Sequence, residues 1–134
     1  MKVFETEDRV NFVGDNNVFV GYANHSLCCE NFGWFFTYTM PCFHKPVDAR
    51  KADTIPASIL EDYQFTLDAP IEIEESNDCG GALVFTLESS SKPTRNRTPL
   101  YLVLYNYHNG YYSHGWEHRV HAVPGKDVIK SGSL

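Results

Sequence analysis

The stretch Pro99–Val123, "PLYLVLYNYHNGYYSHGWEHRVHAV", decides the fold. Its first part, Pro99 to Tyr107, is almost continuously apolar, as a central strand buried on both faces must be. His108-Asn109-Gly110 follows, and Gly110 permits the positive φ that a tight hairpin needs. Tyr111 to Val123 then reads as the returning strand. A strand this long and apolar would be hazardous on a free edge, so a subunit interface in a homo-oligomer also suits it.

Working outward, the first third of the chain also reads as strands. "KVFET" and "RVNFV" alternate, and "GDNN" (Gly14 to Asn17) supplies turn residues. "VFVGYA" (Val18 to Ala23) and "WFFTYTM" (Trp34 to Met40) are rich in β-branched and aromatic residues. Further on, Ile71 and Ile73 fall on one side of a strand and Glu72 and Glu74 on the other. Ser76 to Gly81 is a turn, and Ala82 to Glu88 is another strand.

Two segments break the strand pattern. Pro41 to Thr54 carries two prolines and mixed charges, and reads as a connection. "TIPASILEDYQF" predicts a helix of about two turns, capped by Thr54, with Pro56 in its first turn and Ile55, Ile59, Leu60 and Tyr63 at helical spacing. The expected fold is α+β, mainly β: a small antiparallel sheet of six to eight strands, closed as a barrel or stacked as a sandwich, with one short helix. It occupies residues 1–128 as a single domain, and 129–134 ("IKSGSL") form a flexible tail.

The totals exclude several functions. A chain of 134 residues makes one domain, and a 14% aromatic content suits a packed core rather than disorder. The charge is −6, from 17 acidic and 11 basic side chains, which repels phosphate backbones, so duplex nucleic acid is not an expected partner. The basic run Ser91 to Arg97 reads as a solvated loop. No segment approaches the ~18 apolar residues of a membrane helix, and "MKVFETEDRV" lacks the apolar core of a signal peptide. The expectation is a cytoplasmic protein with no membrane partner and with reduced thiols.

Histidine and cysteine carry the candidate chemistry. His114 and His118 have the His-x-x-x-His spacing that, on a helix, would let both rings hold one metal ion. On a strand they sit roughly 13 Å apart, too far for one ion. The strand reading leaves His114, Trp116 and His118 together on an exposed face, with His121 on the other. Near the front, His25, Cys28, Cys42 and His44 could form a tetrahedral nitrogen and sulfur site for zinc. Cys28 and Cys29 could instead be buried small hydrophobes, a redox pair, or a nucleophile served by His25, His44 or His114. Cys79 reads as a turn thiol. Glu72 and Glu74 read as a solvated face rather than an acid–base pair. There is no phosphate loop, dinucleotide turn or nucleophile elbow, and no catalytic residue is assigned.

Two islands, "FVGYANHSLCCE" (Phe19 to Glu30) and "LYLVLYNYHNGYYSHGWEHRV" (Leu100 to Val120), resemble an uncharacterised family of small phage and bacterial domains. The shared features are the early Cys28-Cys29-Glu30 and the late Asn109-Gly110-Tyr111-Tyr112-Ser113. The resemblance covers about a quarter of the chain and implies a small β-rich intracellular domain of mobile-element origin. It also implies that the two islands belong to one unit. Cys28, Cys29, Glu30, Tyr111, Tyr112 and Ser113, with His114 and Trp116, would then form a polar and aromatic binding surface. The functional expectation is a non-catalytic binding domain for a protein or small-molecule ligand, without a cofactor. The alternative is a zinc- or thiol-dependent enzyme built on Cys28, Cys29, Cys42 and His44.

Overall fold

The computed structural model describes residues 1–24, 31–42, 45–74, 80–89, 99–107, 114–120 and 128–134. Ten strands in these residues form two antiparallel sheets that stack face to face without closing into a barrel. The first sheet holds β1 (Lys2–Glu5), β2 (Arg9–Val13), β3 (Val18–Ala23), β9 (Gly115–Val120) and β10 (Val128–Ser133), side by side in the order β1-β2-β3-β9-β10. The second holds β4 (Asn31–Thr37), β8 (Leu100–Tyr107) and β7 (Gly80–Ser89), in that order. Both β5 (Tyr63–Phe65) and β6 (Ile71–Glu74) pair with β7 on its far edge, at successive positions.

The alternation read from the sequence sets the inner faces. Val10 and Phe12 of β2 point inward while Arg9 and Asn11 point out, and Val18, Val20 and Tyr22 of β3 join the inward set. Across the gap stand Phe36, Leu83, Phe85, Leu87, Leu100, Leu102 and Leu104, all buried. Phe12 meets Trp34 and Phe36 edge-on at 5.0 and 5.9 Å, geometry worth about 0.5–1.5 kcal/mol per pair beyond burial. The Tyr22 hydroxyl donates to the Tyr105 carbonyl at 2.8 Å, so this polar tip is satisfied and bridges the sheets. In the β2–β3 turn the Gly14 N–H donates to the Val18 carbonyl at 2.9 Å, and Asn17 takes φ 60°, which Asn tolerates.

The two outer faces differ. The first sheet turns polar side chains outward, where Glu117 carries Arg9 on one carboxylate oxygen and Arg119 at 2.8 Å on the other. Gly21 lies between, and a Cβ there would collide with the Arg9 guanidinium as it crosses the sheet to Glu117. The outer face of the second sheet is apolar: Phe35, Ile73, Ala82, Val84, Val103 and Tyr105 form a second buried cluster. That face needs a cover.

Four expectations are corrected by this architecture. The stretch after Tyr107 does not return as a hairpin: β8 pairs with β4 and β7, whereas β9 pairs with β3 and β10. Both edges of β8 are taken, so the chain crosses to the other sheet. The strand-forming run is therefore central, which removes the free-edge argument for a subunit interface. The carboxy-terminal residues are not a loose tail: β10 pairs with β9 from Val128 to Ser133, and the Leu134 backbone exchanges two hydrogen bonds with His114 at 2.8 and 2.9 Å. The helix is one turn, α1 (Ala57–Leu60), with no side-chain cap from Thr54. Beyond it Tyr63 and Phe65 are drawn into β5, because burying two aromatic rings outweighs another helical turn. The strands in the described residues number ten, and a 3-10 turn spans Ala49–Lys51. No helix of the described residues is long and apolar enough to cross a membrane.

Deleting residues 128–134 tests the role of β10. The deletion strips one edge of β9 and leaves His114 and Asn106 without their bonds to Leu134. Stability should fall by at least about 2 kcal/mol in urea unfolding. A frayed tail would be removed without change.

Candidate functional site

The cover over the second sheet is the segment between β4 and α1. Tyr38 and Asp53 fasten its ends together: Asp53 Oδ2 accepts from the Tyr38 N–H at 2.8 Å and from Thr37 Oγ1 at 3.2 Å, and the Asp53 N–H donates to the Phe36 carbonyl at 2.9 Å. In its middle, the Val47 N–H donates to the Tyr107 hydroxyl at 2.7 Å. Met40 and Val47 pack onto the outer apolar cluster. The 3-10 turn is capped by Asp48, whose Oδ1 accepts from the Arg50 N–H, and the Arg50 guanidinium takes both carboxylate oxygens at 3.0 Å. These bonds hold the Asp48 carboxyl below the usual carboxylate range.

Between this cover and the outer face of β4 lies a groove of about 380 Å³. Its floor is Phe35 and Thr37, and its walls include Met40, Pro41, Pro46 and Val47. Cys42 and Lys45 border it from one arm of the segment, and Asp48, Lys51 and Asp53 from the other. The floor is stiffened by packed rings. Phe35 lies 6.0 Å from Tyr105, which stacks on Tyr107 at 6.1 Å. Tyr105 crosses β4 over Gly33, where a Cβ would come within 2.8 Å of its hydroxyl oxygen. Burial pushes the Tyr105 phenol above its ordinary pKa. A second hollow, about 390 Å³, lies between β1 and α1 beside Met1, Val3, Phe4 and Leu60, with the Met1 ammonium, Lys2 and Glu61 as the charged groups among its lining residues.

The sequence-marked histidines lie elsewhere. His114, Trp116 and His118 do share a face, but it points into the core: both histidines are fully buried and Trp116 is 6% exposed. The exposed-face reading is therefore corrected, and His114 and Trp116 offer no accessible binding surface. The aromatic neighbours explain why. His114 lies 4.4 Å from Phe32 and its Nδ1 is 2.6 Å from the Ala23 carbonyl. His118 sits edge-on to Phe85 at 5.5 Å and 6.1 Å from Phe65. Neither ring nitrogen of His118 has a partner among the described residues, and burial lowers its pKa below the ordinary value.

Cys28, Cys29, Glu30, Tyr111, Tyr112 and Ser113 lie outside the described residues, as do Cys79, His108, His121 and the basic run Ser91 to Arg97. Described residues in and beside the two islands meet: Asn31 pairs with Tyr107, and the Ala23 carbonyl lies against His114. Of the alternative zinc set, Cys42 alone is described, and its thiol is free and exposed. His25, Cys28 and His44 fall outside. Among the described residues no group of three His, Cys, Asp or Glu side chains is placed to hold a metal ion.

The groove itself was not singled out by sequence reasoning. The available signal was the length of the Pro41–Thr54 connection, since long connections in compact domains are often functional. Comparison of the chain with protein-family models, curated proteins and solved structures gave no match.

Two variants check this geometry. His118 takes a proton near pH 6.5 in the unfolded chain but only at lower pH when folded. Stability is therefore complete above about pH 6.5 and falls as the pH drops through and below that value. His118→Leu should flatten that acid-side loss and leave stability near pH 7 unchanged or higher by about 1 kcal/mol, read from urea midpoints across pH. Asp53→Ala removes the clamp on the cover. Amide exchange should rise across 38–53 while the β2–β3 hairpin stays protected, with a global cost of about 1–2 kcal/mol.

Proposed function

We propose that the protein is a non-catalytic binding domain whose site is the groove between β4 and its cover. The observation that carries this reading is a ligand-sized recess with apolar walls on a rigid sheet. Small-molecule sites typically enclose about 300–1,000 Å³, are mostly apolar, and place a few polar groups for orientation. The groove has that volume and composition.

The state of its carboxylates supports binding over acid–base chemistry. Asp48 is held by Arg50, and Asp53 holds Tyr38 and Thr37. Both therefore serve as structural anchors, and neither is left as a free general base. The packed aromatic floor supports pre-organisation, which lowers the entropic cost of taking up a ligand.

The two methionines of the chain provide the test. Met1 is buried in the inter-sheet core and Met40 borders the groove. With methyl-labelled methionine, a panel of small aromatic and aliphatic compounds should contain members that shift Met40 and leave Met1 in place. The same members should slow alkylation of Cys42. No shift of Met40 across the panel, or equal shifts of both methyls, would sink the reading.

A further inference from the structure

We infer that the groove selects a small carboxylate with an apolar body, its anionic group held between Lys45 and Lys51. The inference rests on the groove being a binding site and adds the class of ligand. It starts from a charge asymmetry. The whole chain carries −6, yet the uncommitted charge in this recess is positive. Asp48 is answered by Arg50, which gives it three hydrogen bonds, whereas Asp53 keeps its charge while accepting from Thr37 and Tyr38, so Lys45 and Lys51 against Asp53 leave a net charge of +1. Lys45 and Lys51 have no ion-pair partner among the described residues, and both border the groove.

The two lysines stand on opposite arms of the cover. Lys45 precedes Pro46, and Lys51 ends the 3-10 turn, so the backbone beside each is restrained. An ammonium on a four-carbon stem reaches a ligand as a flexible point charge, suited to a carboxylate at a groove mouth. Phe35, Met40 and Val47 offer only apolar contact below. A neutral apolar molecule would leave the cations unanswered, and a bare anion would leave the floor unfilled. Only a molecule with both parts uses the whole recess. The excess acidity of the rest of the surface works against anions elsewhere on the chain, which sharpens selection for this place.

The test uses the full chain with 2-naphthoate and its neutral isostere 2-naphthamide. Affinity is read from the Met40 methyl shift and from Cys42 protection mapped by mass spectrometry. The acid should bind about tenfold or more tightly than the amide at low salt. That gap should shrink toward nothing in Lys45→Gln/Lys51→Gln and on raising sodium chloride from about 0.05 to 0.5 M, as a screened, partly exposed pair requires. The double variant changes exposed side chains, and its urea midpoint should match that of the parent. Equal binding of acid and amide overturns the charge assignment while leaving the groove a binding site. A gap that survives in the double variant overturns the role of the two lysines. Binding of neither compound overturns this inference. A Met40 silent to every member of the wider panel, or one that never shifts apart from Met1, takes the binding reading with it.

Discussion

The structure depends on one strand having no side left open. β8 gives one edge to β4 and the other to β7. Its inward residues Leu100, Leu102 and Leu104 fill the space between the sheets, and its outward Val103 and Tyr105 anchor a second apolar cluster. A strand buried on four sides fixes the register of its neighbours, because a slip by one residue would exchange the two clusters. It also dictates the path of the chain. With no edge of β8 to pair with, the residues after it must cross the sandwich, and β9 settles between β3 and β10.

The same strand explains why the sheets are finished differently on their outer faces. The first sheet meets solvent directly through Arg9, Asn11, Glu117 and Arg119. Partly exposed ion pairs of this kind contribute at most about 1 kcal/mol each, and serve solubility more than stability. The second sheet would expose a continuous apolar surface if left bare. The long segment after β4 folds back over it, tied at its ends by Asp53 and in its middle by Tyr107. A segment with three prolines and several charges packs imperfectly against a flat sheet, and the imperfection is the groove. The recess assigned to ligand binding is thus a consequence of covering an apolar face with an irregular chain.

The histidines show how far local pattern reaches. Strand periodicity put His114, Trp116 and His118 on one face, and that grouping holds in the folded chain. Which face was inward depended on pairing with β3, since Val20 lies opposite His118 and Tyr22 opposite Trp116. Those partners bring the core with them, and the imidazoles are carried inside. His114 keeps a carbonyl within hydrogen-bond distance, while His118 gives up hydration for contact with Phe65 and Phe85. Glu72 likewise lies between Ile71 and Ile73 as the pattern requires, but it also reaches Lys130 of the other sheet at 3.4 Å, a contact no local reading contains.

By itself the sequence determined the mainly β character, the doubly buried character of Leu100–Tyr107 and the polar side of β2, because these follow from the period-two alternation of a pleated chain. It also determined the β2–β3 turn, because Gly14 to Asn17 supply the conformations a tight reversal needs. Only the tertiary structure decided that β8 and β9 part company, that Val128–Ser133 form a strand, and that Tyr63 and Phe65 leave the helix. Each of those outcomes depends on which edges and faces remain vacant once distant segments have packed. The groove belongs to this second group. Its residues are unremarkable in sequence, and they acquire a shape only when the connection is pinned across the back of a sheet.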